Sequence, residues 1–147
     1  MKFQKQAKFT LWCSRAIAVV VVLLCFFLYD LLSWYHSFRE LSWQASAAIF
    51  VGYYLCVPAV LFALWSMDRL LKSILTGDVF IFSNARRIQG ICLCCGFVSL
   101  VSLLAGVFYP PLLFLFVIMA FLALTVSVVK NVMAAAVEIR EENDLTI

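Results

Sequence analysis

Charge is scarce in this chain. Only 13% of its 147 residues are Asp, Glu, Lys or Arg, and 66% are hydrophobic. Soluble domains carry about a quarter charged residues. Polar side chains are too few here to cover the apolar surface in water, so the bilayer must be part of the solvent. Clustered Lys and Arg interleaved with polar residues are also missing. That argues against a direct nucleic-acid surface despite a net charge of +3. No Asp, Glu, Lys or Arg lies near the middle of an apolar run, where a transporter would be expected to carry ionisable groups.

A cleavage motif is missing as well. Residues 1–15 hold Lys2, Lys5, Lys8 and Arg15 and no acid, and the uncharged run 16–29 follows. This looks like a signal peptide, but Asp30-Leu31-Leu32-Ser33-Trp34 stands where a small-x-small site would be. Leu24 precedes Cys25, so the small residue of a lipoprotein signal is lacking too. An uncleaved first span over 16–35 is expected, since about 20 residues at 1.5 Å each cross a 30 Å core. Asp30 then falls close to the far interface.

Three more spans follow at about 45–67, 88–108 and 112–129. The expected fold is all-α: an integral membrane four-helix bundle of two transmembrane hairpins, forming one domain over 1–147. A loop over 33–44, framed by Trp34, Tyr35 and Trp43, joins the first two spans. Pro58 should bend the second span by removing the bond to the Tyr54 carbonyl. A polar linker over 68–87 separates the hairpins, with Gly77 as a helix stop. Val79-Phe80-Ile81-Phe82 is too short to span and should lie in the interface. Ser83 or Asn84 is placed to cap the third helix. Tyr109-Pro110-Pro111 makes a tight turn. Residues 130–147 continue as a helix that ends in an acidic tail.

Charge sets the expected orientation. Lys2, Lys5, Lys8, Arg15, Arg69, Lys72, Arg86, Arg87, Lys130 and Arg140 lie on one side, and Arg39 alone on the other. The excess puts both termini and the linker in the cytoplasm of a cell membrane.

Small residues mark the helix seams. Ala48 and Gly52 share a face of the second span. Cys92, Cys95, Gly96, Ser99, Ser102 and Gly106 fall within about a third of the third helix. Ala120, Ala123 and Ser127 form a matching stripe on the fourth. These stripes should face each other, or both should face the second helix.

Candidate chemistry is thin. Cys92 and Cys95 form C-x-x-C around Cys94, the pattern of a thiol oxidoreductase. Such thiols need an oxidising compartment, yet the outer loops have no cysteine and Cys13, Cys25 and Cys56 are scattered. Small apolar packing residues are the plainer reading. His36 with Asp30 or Glu40 could be drawn as a relay or metal site, but a single loop histidine reads first as solvated. No residue pattern calls for a cofactor or a metal. Pro58 with Tyr53 and Tyr54 could line a small pocket, although a kinked packing helix explains them. Arg86 and Arg87 near the start of the third helix oppose its dipole, which anionic headgroups would offset. They could also pair with Glu138, Glu141 or Glu142.

The pattern Gly77-Asp78-Val79-Phe80-Ile81-Phe82-Ser83-Asn84-Ala85-Arg86-Arg87-Ile88 resembles the G-x-x-F-(x)-N-x-x-R-(L/I) segment of a domain-of-unknown-function family. Its members are small four-span bacterial membrane proteins, common in Firmicutes. The ending Arg140-Glu141-Glu142-Asn143-Asp144-Leu145-Thr146-Ile147 resembles that family's acidic DLT-(I/V) terminus. In layout the resemblance spans the chain, and these two segments are its specific part. The cysteine run at 92–95 is not in the pattern. Family members are often encoded beside a small helix-turn-helix repressor of the Cro/C1 type. The resemblance therefore implies a membrane component that senses or sequesters such a regulator.

The expectation is a non-enzymatic regulatory or interaction protein of the membrane. Its contact residues would be Asn84, Arg86, Arg87, Glu141, Glu142, Asn143 and Asp144. The alternatives are a small transporter or pore subunit and, behind it, a membrane thiol oxidoreductase. Whether copies of the chain associate is left open by the residues.

Overall fold

The computed structural model describes the backbone of residues 2–38, 40–76 and 82–145, with side chains over 7–37, 40–76 and 83–143. Four helices account for almost all of it: α1 (Lys2–Phe38), α2 (Trp43–Leu75), α3 (Phe82–Gly106) and α4 (Leu112–Leu145). No strand occurs among the described residues. Each helix is long and apolar enough to cross a bilayer, and the chain is a multi-pass membrane protein.

The helices overrun the hydrocarbon core. The 37 residues of α1 extend roughly 55 Å at 1.5 Å each, against a core of about 30 Å. Tryptophan marks where the core lies. Trp12 and Trp34 on α1 are separated by roughly 33 Å along the axis, as are Trp43 and Trp65 on α2. All four are exposed, as aromatic belts at two interfaces should be.

The helix ends differ from the expected ones. The sequence places a loop over 33–44, yet α1 runs on through Phe38 and α2 starts at Trp43. No Gly or Pro interrupts the chain there, and Ser42 caps α2 by accepting a bond from the Ala45 amide (3.2 Å). The expected cap at Ser83 or Asn84 is also corrected, because α3 already includes Phe82. The Gly77 stop and the 79–81 segment lie outside the described residues. Pro58 lies inside α2 and does not end it; the helix is continuous from 43 to 75. Thr76 closes that helix, its amide bonding back to the Lys72 carbonyl (3.1 Å).

Packing follows chain order. Among the described residues α1 lies on α2, α2 on α3 and α3 on α4, while α1 and α4 do not meet. The four-helix bundle is thus an open row rather than a closed ring. The α1–α2 pair is stitched by tyrosine: Tyr53 donates to the Val21 carbonyl (2.8 Å) and Tyr54 to that of Cys25 (2.7 Å). Such interhelical bonds contribute about 0.6 kcal/mol on average in a bilayer.

Gly52 lets α2 approach α3. A Cβ there would lie 3.8 Å from both Ala105 and Val101, and Ala48 lines the same groove. On the α4 side, Ser99 donates to the Phe116 carbonyl (3.2 Å) and the Cys92 thiol to that of Ala123 (3.3 Å). Ser102 is buried too, but bonds within its own helix to Val98. Gly106 sits under the Tyr109-Pro110-Pro111 turn, where a Cβ would come within 2.6 Å of Leu113. Ala120, Ala123 and Ser127 are half-buried on α4. Gly96 does not belong to the seam: it is exposed, with nothing within 4 Å of where its Cβ would be. The small-residue face of α3 is therefore split between two partners, and Gly96 falls outside both.

Candidate interaction site at the charged end

The start of α1, the end of α2, the start of α3 and the end of α4 lie at the same end of the row. Arg15 near the start of α1 reaches Asp68 near the end of α2. The opposite end holds the α1–α2 loop and the α3–α4 turn, joined by a bond between the Tyr35 and Tyr109 hydroxyls (3.1 Å). The charged end is held by a short chain of polar contacts. Asp68 accepts from Arg15 Nε (3.3 Å) and from Lys72 Nζ (2.6 Å). The Lys72 hydrogen bond, with Arg15 beside it, holds the Asp68 carboxyl below the usual carboxylate range against the opposing effect of burial. Both cations are largely exposed, so each pair contributes at most about 1 kcal/mol.

The next residue, Arg69, lies over the Trp65 ring, 4.8 Å from its centroid. The Arg69 carbonyl accepts from Arg87 Nη1 (3.3 Å), which also donates to Asn84 Oδ1 (3.1 Å). Asn84 Nδ2 donates to the Ser73 hydroxyl (3.2 Å). Asn84 is completely buried. It is a clamp between α2 and α3 and not an exposed contact residue, which corrects the expectation for that side chain. A polar amide at a helix–helix contact must find partners within the protein, and Ser73 and Arg87 supply them.

Arg87 is half-buried in the same clamp, whereas Arg86 points outward and is exposed. Neither arginine pairs with Glu138 or Glu141 among the described residues. The acids sit further out. The Ser99–Phe116 and Cys92–Ala123 contacts set an antiparallel register in which Phe82 falls opposite Met133. About twelve residues of α4 thus pass the start of α3, an overhang of roughly 18 Å. Val137 is buried, while Glu138, Arg140, Glu141, Glu142 and Asn143 are exposed. The Asp144 side chain lies outside the described residues.

The other candidates lie elsewhere in the fold. Cys92, Cys94 and Cys95 are half-buried free thiols, and Cys92 is engaged with the α4 backbone. Among the described residues no three His, Cys, Asp or Glu side chains are grouped to hold a metal. His36 accepts from the Leu41 amide through Nδ1 (3.4 Å) and so fastens the loop. Tyr53 and Tyr54 direct their hydroxyls to α1 carbonyls; Tyr53 also lines an apolar cavity of about 310 Å³ with residues of α3 and α4, of which Tyr54 and Pro58 are not part.

The match to known proteins comes from the whole chain: residues 10–147 fit the family described as protein of unknown function, DUF2975. The chain belongs to the DUF2975 family. A search of curated proteins found no match, and neither did a search of solved structures. For this DUF2975 member, then, the charged end must be interpreted from its own geometry. The sequence pointed to Arg86, Arg87 and the tail but not to Ser73, Asp68 or Trp65. Asp68 and Lys72, spaced i and i+4, were the available signal.

Proposed function

We propose that this DUF2975 protein is a non-enzymatic interaction component of the cell membrane. Its charged end faces the cytoplasm and docks a soluble partner, with a small helix-turn-helix regulator as the partner class that the family resemblance suggests. The observation carrying this reading is the α4 overhang. A helix of exposed Glu138, Arg140, Glu141, Glu142 and Asn143 stands clear of the bundle at the end that also carries the exposed Arg86. The lopsided Lys and Arg count supports the cytoplasmic orientation. At the other end, the connections are confined to 39–42 and 107–111, which leaves little surface for a partner.

A photocrosslinking amino acid at position 86, 139 or 141 tests the reading in cells. Soluble protein should be captured at those positions, and only lipid at Val117 or Phe121. Truncation after Val137 should abolish capture at position 86 while membrane insertion persists. Equal capture with and without the tail would refute the docking role. Labelling of Glu142→Cys from outside the cell, in a cysteine-free chain, would refute the orientation.

A further inference from the structure

Beside the Asn84 clamp, on the membrane side of Arg86, α2 and α3 part to leave a recess of about 590 Å³. Its floor is aromatic: Phe62 and Trp65 pack against each other at 5.9 Å between centroids. Gly90 forms part of the far wall, where an added Cβ would lie 3.3 Å from the Phe62 ring. The glycine therefore keeps this wall low. The rim is polar and cationic, formed by Ser66, Ser83, Arg86 and Arg87. Arg69 lies over the Trp65 ring that forms part of the floor.

The charge here is one-sided. Asp68, the acid closest along α2, is already bonded to Arg15 and Lys72. Arg86 makes no hydrogen bond or ion pair among the described residues, and it stands in the second turn of α3. There it opposes the positive end of the helix dipole. Among the described residues no carboxylate faces these two arginines and the start of α3, and an anion placed among them would be stabilised. Below that rim lies an apolar surface open to the bilayer, at the depth of the tryptophan belt. A free anion would satisfy the rim and leave the aromatic floor unused. A phosphate carrying an acyl chain satisfies both.

We propose that this recess binds one anionic phospholipid, its headgroup phosphate held by Arg86 and Arg87 and its acyl chain laid along Phe62 and Trp65. This inference shares Arg86 with the docking reading but not the overhang: the lipid fills the recess between α2 and α3, whereas the partner would chiefly meet Glu138, Glu141 and Glu142 beyond it, so loss of lipid quenching and loss of protein capture at position 141 are separate outcomes.

The test uses the full chain in nonionic detergent with Trp12, Trp34 and Trp43 replaced by Phe, so that Trp65 alone reports. All three replaced tryptophans are exposed. Phosphatidylglycerol with brominated acyl chains should quench Trp65 saturably, at concentrations at least about tenfold below those needed for brominated phosphatidylcholine. Arg86→Gln should weaken phosphatidylglycerol binding about fivefold, the order expected for one basic side chain at a membrane surface. Arg86→Lys should retain most of it. Gly90→Leu leaves the charge intact but fills the wall, and should reduce quenching by both lipids. Equal quenching by the two lipids, or unchanged binding in Arg86→Gln, would overturn the proposal. So would full displacement of the lipid by 10 mM inorganic phosphate, which would make the site one for a free anion.

Discussion

Asn84→Ala is the sharpest perturbation of the joint between the two hairpins. The side chain has no exposed surface and makes two bonds, one from Arg87 and one to Ser73. A hydrogen bond to a charged group contributes about 1.5–3 kcal/mol and a neutral one about 1 kcal/mol. The truncation also leaves a small void and a half-buried guanidinium with only the Arg69 carbonyl as acceptor. The loss should be about 3 kcal/mol of helix–helix stability. Asn84→Asp keeps the Arg87 bond and lets the Ser73 hydroxyl donate instead, so it should lie within about 1 kcal/mol of wild type. The measurement is reversible unfolding in mixed micelles, followed by energy transfer between dyes at the ends of α2 and α3. A double-mutant cycle with Arg87→Ala should return a coupling of 1 kcal/mol or more. If Asn84→Ala shifts stability by less than about 0.5 kcal/mol, the clamp does not hold the hairpins together.

Three further outcomes follow from the same contacts. Gly106→Ala drives a methyl to 2.6 Å from Leu113 and should cost about 1–3 kcal/mol in the same unfolding assay; Leu113→Ala in the same chain should recover part of it. Gly96→Ala meets nothing and should be neutral or stabilising by up to about 1 kcal/mol through helix propensity, whereas Gly52→Leu should destabilise by pushing Val101 and Ala105 away. Asp68 has a lowered pKa in the folded protein, so its contribution is present above the ordinary carboxylate pKa near 4 and is lost as pH falls through the lowered value. Unfolding from pH 7 to pH 3 should therefore show wild type losing up to about 1 kcal/mol relative to Asp68→Asn, and parallel curves would disprove the pairing.

How much of this was legible beforehand depended on the scale of the signal. Span number and order came from hydropathy, because a bilayer permits few backbone solutions. The helix ends were legible only in part. Residues 130–145 read as helix from their helix formers and are helix, whereas residues 2–15 carry charge and look like a tail, yet no breaker stops them from continuing as helix. Gly52 and Ser99 could be placed on a seam by spacing alone. Gly96 could not be separated from them, since a one-dimensional stripe does not reveal that two different helices divide it. Asn84 was noticed for the right position and the wrong reason. A cap residue and a buried clamp look the same in sequence, and only the start of α3 at Phe82 distinguishes them.

The open row has a consequence for biogenesis. Every helix pairing joins segments adjacent in the chain, so each span can find its final neighbour as soon as it leaves the insertion machinery. No early helix has to wait for a late one to complete a ring. Local pairings of this kind keep the search short. A truncated chain ending after α2 should already carry its native Tyr53 and Tyr54 stitches, and would be recognised by the cell as an assembled hairpin rather than a broken bundle.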